Sequence, residues 1–230
     1  SISQLQQFAF NNHATDTYWP LINAVHANAT YKRKYVAHMR TILNEFFASS
    51  LYEILASQLQ STIDTAVQSD NNKFYSYTKF QQAMDSATNV GSYNVPGIKT
   101  LMNGRASYLL STSEFNATPP TISNIAISVA FPVYATSFDL RAKVINTNIN
   151  DVTIGYRFDV RDKFTKTTMF DDGLHNDNAA GDGIFGVSLN MNGGAMQYYI
   201  YAENNAAGVF SPERAEHEFY TIYADAQAPA

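Results

Sequence analysis

Cysteine is absent from all 230 residues, which excludes a disulfide framework and every metal or redox site built on thiolates. Charge is sparse as well: Asp, Glu, Lys and Arg make up 15% of the chain, so the polar surface must come mainly from Asn, Gln, Ser and Thr. Lysine and arginine number 15 against 20 acidic residues. Phosphate backbones demand clustered positive charge, so this balance argues against a nucleic-acid partner. The one basic cluster, Lys32-Arg33-Lys34, reads as a single solvated helix turn. No apolar run approaches the ~18 residues of a membrane helix, so no membrane span is expected. The first residues, SISQLQQFAFNNH, lack the basic and long apolar segments of a secretory leader, and a secreted form would carry its signal further upstream.

Hydrophobic residues nevertheless make up 45% of the chain, enough for a buried core, and their spacing changes character half-way along. Trp19-Pro20-Leu21-Ile22 reads as a short packed turn. Tyr35, Met39, Ile42, Leu43 and Phe46 then fall on one helical face, with Thr30 placed to cap it. Ser50 and Glu53 have capping-box spacing ahead of a run carrying Leu51, Ile54, Leu55, Leu59, Ile63 and Val67, and Asp70-Asn71-Asn72 ends that run. Thr78 and Gln81 repeat the box in a run with Tyr77, Phe80, Met84 and Ala87. Gly91 to Asn94 reads as loop, and Pro96 suits the first turn of a helix bearing Ile98, Leu101, Met102, Tyr108 and Leu109. Four amphipathic helices with short connections predict a bundle-like subdomain.

Thr118-Pro119-Pro120-Thr121 holds the chain extended and closes the helical half. Beyond it the period becomes two. Ile125, Ile127, Val129 and Phe131 alternate with polar or small residues, as do Phe138, Leu140, Ala142 and Val144, and then Val152, Ile154, Tyr156, Phe158 and Val160. Runs at 164–170, 184–189, 196–203 and 216–223 bring the strands to about seven, as in an immunoglobulin-like or fibronectin type III-like sandwich. The expected fold is α+β by segregated domains. It comprises a helical subdomain over 1–117, a proline-rich linker over 118–121, an all-β immunoglobulin-like sandwich over 122–224 and a tail over 225–230.

Chemistry-bearing residues concentrate in Met169 to Gly186, where four aspartates and four glycines interrupt two strand-like runs. Calcium wants six to eight oxygens, and Asp171, Asp172, Asp177 and Asp182 with loop carbonyls could supply them. The spacing is not that of an EF-hand. The alternative, favoured by the Asp-Gly pairs, is a structural turn in which the aspartates accept bonds from nearby backbone and the glycines take positive φ. The histidines at 13, 26, 38, 175 and 217 show no metal-ligand spacing, and His38 reads as a packed helix residue rather than a base. Arg105, near an apolar helix face, requires an acidic or carbonyl partner and reads as a packing bridge. Tyr198, Tyr199, Tyr201, Tyr220 and Tyr223 occupy both parities of their strands, so one set is expected to face outward, where it could stack on sugar rings or anchor a protein. No nucleophile elbow is present, and no catalytic or cofactor-binding residue is assigned.

The run TYWPLINAVHANATYKRKYVAHMRTILNEFF from Thr17 to Phe47, Asp70 with Lys73-Phe74-Tyr75, and VPGIKTLMNGRASYLL from Val95 to Leu110 together resemble the C-terminal helical part of the CotH family, secreted or spore-coat atypical protein kinases. The resemblance implies that the family's acidic nucleotide- and metal-binding motifs lie N-terminal to these helices. Trp19-Pro20-Leu21 lacks the aspartates that follow the corresponding family segment. Phosphoryl transfer needs a phosphate cradle and carboxylates on magnesium, so the fragment is expected to be non-catalytic, with the upstream catalytic region of the parent chain as its partner. The second half resembles the Ig-like module of large bacterial secreted proteins, on Asp171-Asp172-Gly173, Asp177, Ala180 and Asp182-Gly183 followed by Ile184-Phe185. That implies an extracellular or cell-surface spacer or adhesion module. The alternative is a stand-alone module binding carbohydrate or a surface protein, with calcium as a stabilising ion.

Overall fold

The computed structural model describes residues 1–148 and 151–225. The expected tail from Ala226 onward, and Ile149 and Asn150 of the expected turn between Asn146 and Asp151, lie outside the described residues. Helices precede sheets. In chain order come α1 (Ile2–Gln6), α2 (Pro20–Ala27), α3 (Ala29–Ile42) continuing as a π-helical segment Leu43–Ala48, α4 (Leu51–Ser69), α5 (Tyr77–Gln82), the strands β1 (Thr88–Val90) and β2 (Tyr93–Val95), then α6 (Ile98–Ser111) and α7 (Ser113–Asn116). By internal contacts the chain divides into two compact units, Ser1–Asn23 with Met39–Asn116, and Ala24–His38 with Ala117–Ala230. This division differs from a cut at the prolines alone, because Ala24–His38 group with the strands.

Pro20 opens helix α2 where the sequence reads as a short packed turn, with Trp19 and Leu21 exposed at 49% and 77%. The four runs that periodicity marks as helices stand as α3, α4, α5 and α6, but their caps differ. Asn28, not Thr30, caps α3, accepting the Tyr31 N–H at 2.9 Å. Ser50 takes a left-handed conformation (φ 57°) and makes no side-chain cap bond, so the Ser50/Glu53 box does not form. Ser76, not Thr78, caps α5 by accepting from Lys79 N–H at 3.2 Å. Gly91 and Ser92 turn a two-stranded hairpin pairing Val90 with Tyr93, where the sequence reads as loop. The first N–H groups of α6, on Ile98 and Lys99, donate to Ala83 O and Met84 O at 3.1 and 2.9 Å. Gly97 permits that approach, because a Cβ there would collide with the Asp85 backbone.

Helix α4 is turned the unexpected way round. Its polar side faces protein: Gln60 Nε2 donates to Phe80 O at 2.6 Å, Tyr77 OH donates to Asp64 at 2.8 Å, and Glu53 meets Lys99 at 3.4 Å. Leu55, Leu59 and Ile63, spaced by four and so stacked on one side, are exposed at 42%, 67% and 47%. No residue of this 19-residue helix is buried. The apolar stripe that predicts the helix is therefore not the face that packs.

In the second unit, β3 (Thr121–Ile127), β4 (Ser137–Ile145) and β7 (Ile184–Asn190) form one antiparallel sheet. The other has the order β10 (Tyr220–Tyr223), β8 (Ala195–Glu203), β5 (Val152–Arg157), β6 (Thr165–Thr168), with β9 (Gly208–Ser211) also pairing β8. One apolar cluster draws on both sheets through Leu140 and Val144, Val152 and Ile154, Met196 and Ile200. The strict alternation of β4, buried at Phe138, Leu140, Ala142 and Val144, shows why the period-two signal reads correctly there. Strand β9 is absent from the sequence expectation. Strand β3, in contrast, stops at Ile127. Val129 and Phe131 lie in the following loop, exposed at 48% and 64%, while Pro132, unable to donate to a ladder, is buried.

Candidate functional site

The acidic segment between β6 and β7 is built around two inward-turned carboxylates. Asp177, with no exposed surface, accepts the backbone N–H groups of Asp172 and Gly173 at Oδ2 (2.5 and 2.8 Å) and of His175 at Oδ1 (3.1 Å). Asp171 accepts from Gly181 and Asp182 at Oδ1 (2.8 and 3.2 Å) and from Gly183 at Oδ2 (3.0 Å). Burial pushes the Asp177 carboxyl up, but the backbone donors outweigh it and hold the group below the ordinary value. Asp172 and Asp182 are more exposed and close turns two residues on, accepting from Leu174 and Ile184, each at 2.9 Å. Asp172 also takes the His175 ring at 2.9 Å, which holds its carboxyl down. Gly173, Gly181 and Gly183 carry φ of +77°, +79° and +82°, the left-handed region that glycine adopts at least cost.

These carboxylates converge on amide N–H groups rather than on a common centre. Among the described residues no three or more His, Asp or Glu side chains are grouped to hold a metal ion. A cation at Asp171 or Asp177 would sit against the positive ends of N–H dipoles, which oppose it there. The expected measurement is direct: the melting temperature of the chain is unchanged, within about 1 °C, between calcium and a chelator. A calcium-dependent rise of several degrees would restore the metal reading.

A second constellation is one the sequence reading misses. On α3, Thr30, Arg33, Lys34, Ala37 and His38 recur at i, i+3, i+4, i+7 and i+8, one helical face. Arg33 donates to the Glu203 carboxylate twice, Nη2 to Oε1 at 2.7 Å and Nε to Oε2 at 2.9 Å. Thr30 Oγ1 donates to Oε1 at 2.8 Å, and Tyr201 OH to Oε2 at 2.5 Å. The side chains of Arg33 and Glu203 are 20% and 6% exposed. The Lys34 ammonium lies 4.5 Å from the centre of the Tyr201 ring, and the His38 ring stacks on Phe210 at 4.5 Å. The cluster Lys32-Arg33-Lys34 is therefore not simply a solvated turn, since two of its three residues lie on this packed face. Likewise the tyrosines of β8 form no outward row, since Tyr198, Tyr199 and Tyr201 are all buried, whereas Tyr220 and Tyr223 of β10 are exposed at 37% and 62%. The side of β8 that bears Tyr199 and Tyr201 packs with Ala37, Phe164, Phe210 and Ala215. Gly155 and Gly208 make room for it, because a Cβ on either would run into the ring of Tyr199 or Tyr201.

Burial sets the charges here. It pushes Glu203 up, but Arg33, Tyr201 and Thr30 together hold its carboxyl below the ordinary value. Burial lowers His38, aided by His217 and Lys34 and opposed by Glu216. Both folded values lie below the unfolded ones. Each group therefore contributes stability that is whole above its unfolded pKa and is lost as pH falls through the folded one. The melting temperature should be flat between about pH 6.5 and about pH 8, decline below that range as unfolded His38 gains its proton, and fall more steeply below about pH 4.5. In His38→Gln the first decline should shrink while the second remains.

Two families of known proteins match this chain. Residues 3–109 match the CotH kinase protein family, and residues 158–207 match the second Ig-like domain of conditioned medium factor. The chain thus carries a CotH-like region followed by an Ig-like one. No curated protein matches it. The acidic segment lies inside the Ig-like match, whereas Arg33 and Glu203 belong one to each match.

Within the CotH region, Arg105 donates to Gln6 O at 3.2 Å and to Phe8 O, the carbonyl partners its sequence position requires. It borders an apolar hollow of about 150 Å³ lined by Met39, Leu43, Phe47, Met102 and Leu109, which offers nothing to orient a polar substrate. His13 stacks on Trp19 and meets Asp16 at 3.0 Å on the surface. Among the described residues no helix is long and apolar enough to cross a membrane.

Proposed function

We propose that this chain is a non-catalytic, C-terminal portion of a larger secreted CotH-like protein of a bacterium. Its helices support a kinase-like core formed by upstream residues, and the module that follows is an immunoglobulin-like sandwich of about seven strands serving as an extracellular or cell-surface spacer or adhesion element. The observation that carries this reading is the reversed α4: a 19-residue helix with its polar side packed and Leu55, Leu59 and Ile63 outward is built to be covered. Two measurements test it. With ATP and magnesium the chain should transfer no phosphate to itself or to a basic protein; incorporation above background overturns the reading. Leu55→Ser with Leu59→Ser and Ile63→Ser should cut binding of an apolar dye severalfold while moving the melting temperature by no more than about 2 °C, as surface changes do. A cooperative loss of fold would mean that the stripe is already packed.

A second reading, a stand-alone extracellular module binding carbohydrate or protein, is favoured by the loop after β3. Val129, Phe131, Val133 and Tyr134 are 40–64% exposed, on backbone held by Ala135 N–H to Met191 O at 2.8 Å and Asp225 N–H to Pro132 O at 3.0 Å. Retention on immobilised glycans that is lost in Phe131→Ser with Tyr134→Ser would favour it over the first.

A further inference from the structure

The Ig-like module carries an aromatic surface on the outer side of β8 and β9, and this surface has an occupant whose sequence belongs to the other family match. Tyr199, Tyr201 and Phe210, each no more than 6% exposed, form its floor with Phe164. Glu203 stands at its edge as a buried carboxylate with bonds to Arg33, Thr30 and Tyr201. A buried carboxylate is tolerable only where paired and hydrogen-bonded, and the side chains that pair it most fully come from α3.

We infer that this face of the Ig-like module is a helix-docking surface fitted to Ala24–His38, and that this segment is an integral element of the module rather than of the CotH bundle. Three observations point the same way. The recognition residues fall at i, i+3, i+4, i+7 and i+8, so one helical face supplies the hydroxyl, the guanidinium, the ammonium stem, the small Ala37 and the stacking imidazole. Ala37, 6% exposed, lets the helix approach rings that a larger side chain would hold off. The anchor is a forked Arg33–Glu203 pair, a geometry that fixes register as well as contact. The inference stands whether or not the parent protein transfers phosphate.

The test uses the full chain. In native-state hydrogen exchange at rising denaturant, the amides of 29–38 should merge with those of β8 into one opening, apart from those of α4. Arg33→Met should speed exchange of both 29–38 and β8 by tenfold or more and leave α4 unchanged. Lys99→Met, which breaks the ion pairs to Glu53 and Asp85 at 3.4 and 2.9 Å, should do the reverse. Should Arg33→Met fail to fold, the wild-type exchange pattern decides alone. Amides of 29–38 that follow α4, or that ignore Arg33→Met, overturn the inference.

Discussion

Asp177→Ala lowers the stability of the Ig-like module by about 3–5 kcal/mol, since each buried donor left unsatisfied costs roughly 1–3 kcal/mol and water entering the loop recovers part of the total. Three backbone N–H groups, of Asp172, Gly173 and His175, lose their acceptor together. Against a whole-protein stability of about 5–15 kcal/mol this is a large fraction. The loop also closes on the sheet through Gly186, where the His175 carbonyl occupies the space a Cβ would need and the backbone exchanges bonds with Phe170 at 2.7 and 2.8 Å. Asp182→Ala, which frees Ile184 N–H and a longer bond from Ala179 N–H at an exposed position, should cost less than about 1 kcal/mol. Chemical denaturation of both variants, with and without calcium, checks the ranking. A cation site would instead penalise loss of any of the four aspartates, and only when calcium is present.

Glu203→Ala should be nearly as damaging, by about 2–4 kcal/mol. Removing one member of a buried pair strands the other charge, and the cost stays below that of a wholly buried pair because Arg33 keeps a fifth of its side-chain surface in water. Tyr201 OH and Thr30 Oγ1 lose their acceptor in the same step. Arg33→Met combined with Glu203→Leu should recover much of the loss, since matched apolar replacement removes both charges at once. A double-mutant cycle by denaturant unfolding measures the coupling. Additive effects would mean that the pair contributes little beyond its separate contacts.

How much of this could be read from the residues depends on how many faces of an element are buried. Strand β4, with one buried face, announces itself by alternation, and the Asp-Gly pairs announce a turn. Strand β8 is buried at Tyr199 and Tyr201 as well as at Met196, Tyr198 and Ile200, so parity could not say which tyrosines were free. What covers them is polar in sequence: Thr30, Arg33, Lys34 and His38 look like a solvated helix side until Glu203, 170 residues from Arg33, is known to lie opposite. The helical spacing of those residues was the available signal; their chemistry hid it. In α4 the failure ran the other way, because periodicity reports that a helix has an apolar face but not that the face is covered. The short strands β1, β2 and β9, of three or four residues, are too brief for any period to register.

The distance along the chain between Arg33 and Glu203 also orders events during synthesis. A ribosome making this protein releases α3 long before β8, so Arg33, Lys34 and His38 must wait in water while the intervening helices emerge. Closing so long a loop carries an entropic cost that only the finished sheet can offset. The last native contacts of one of the earliest helices therefore form only after β8 has been made. A chain halted short of residue 203 would present that helix, with its positive side unpaired, to any acidic surface it meets.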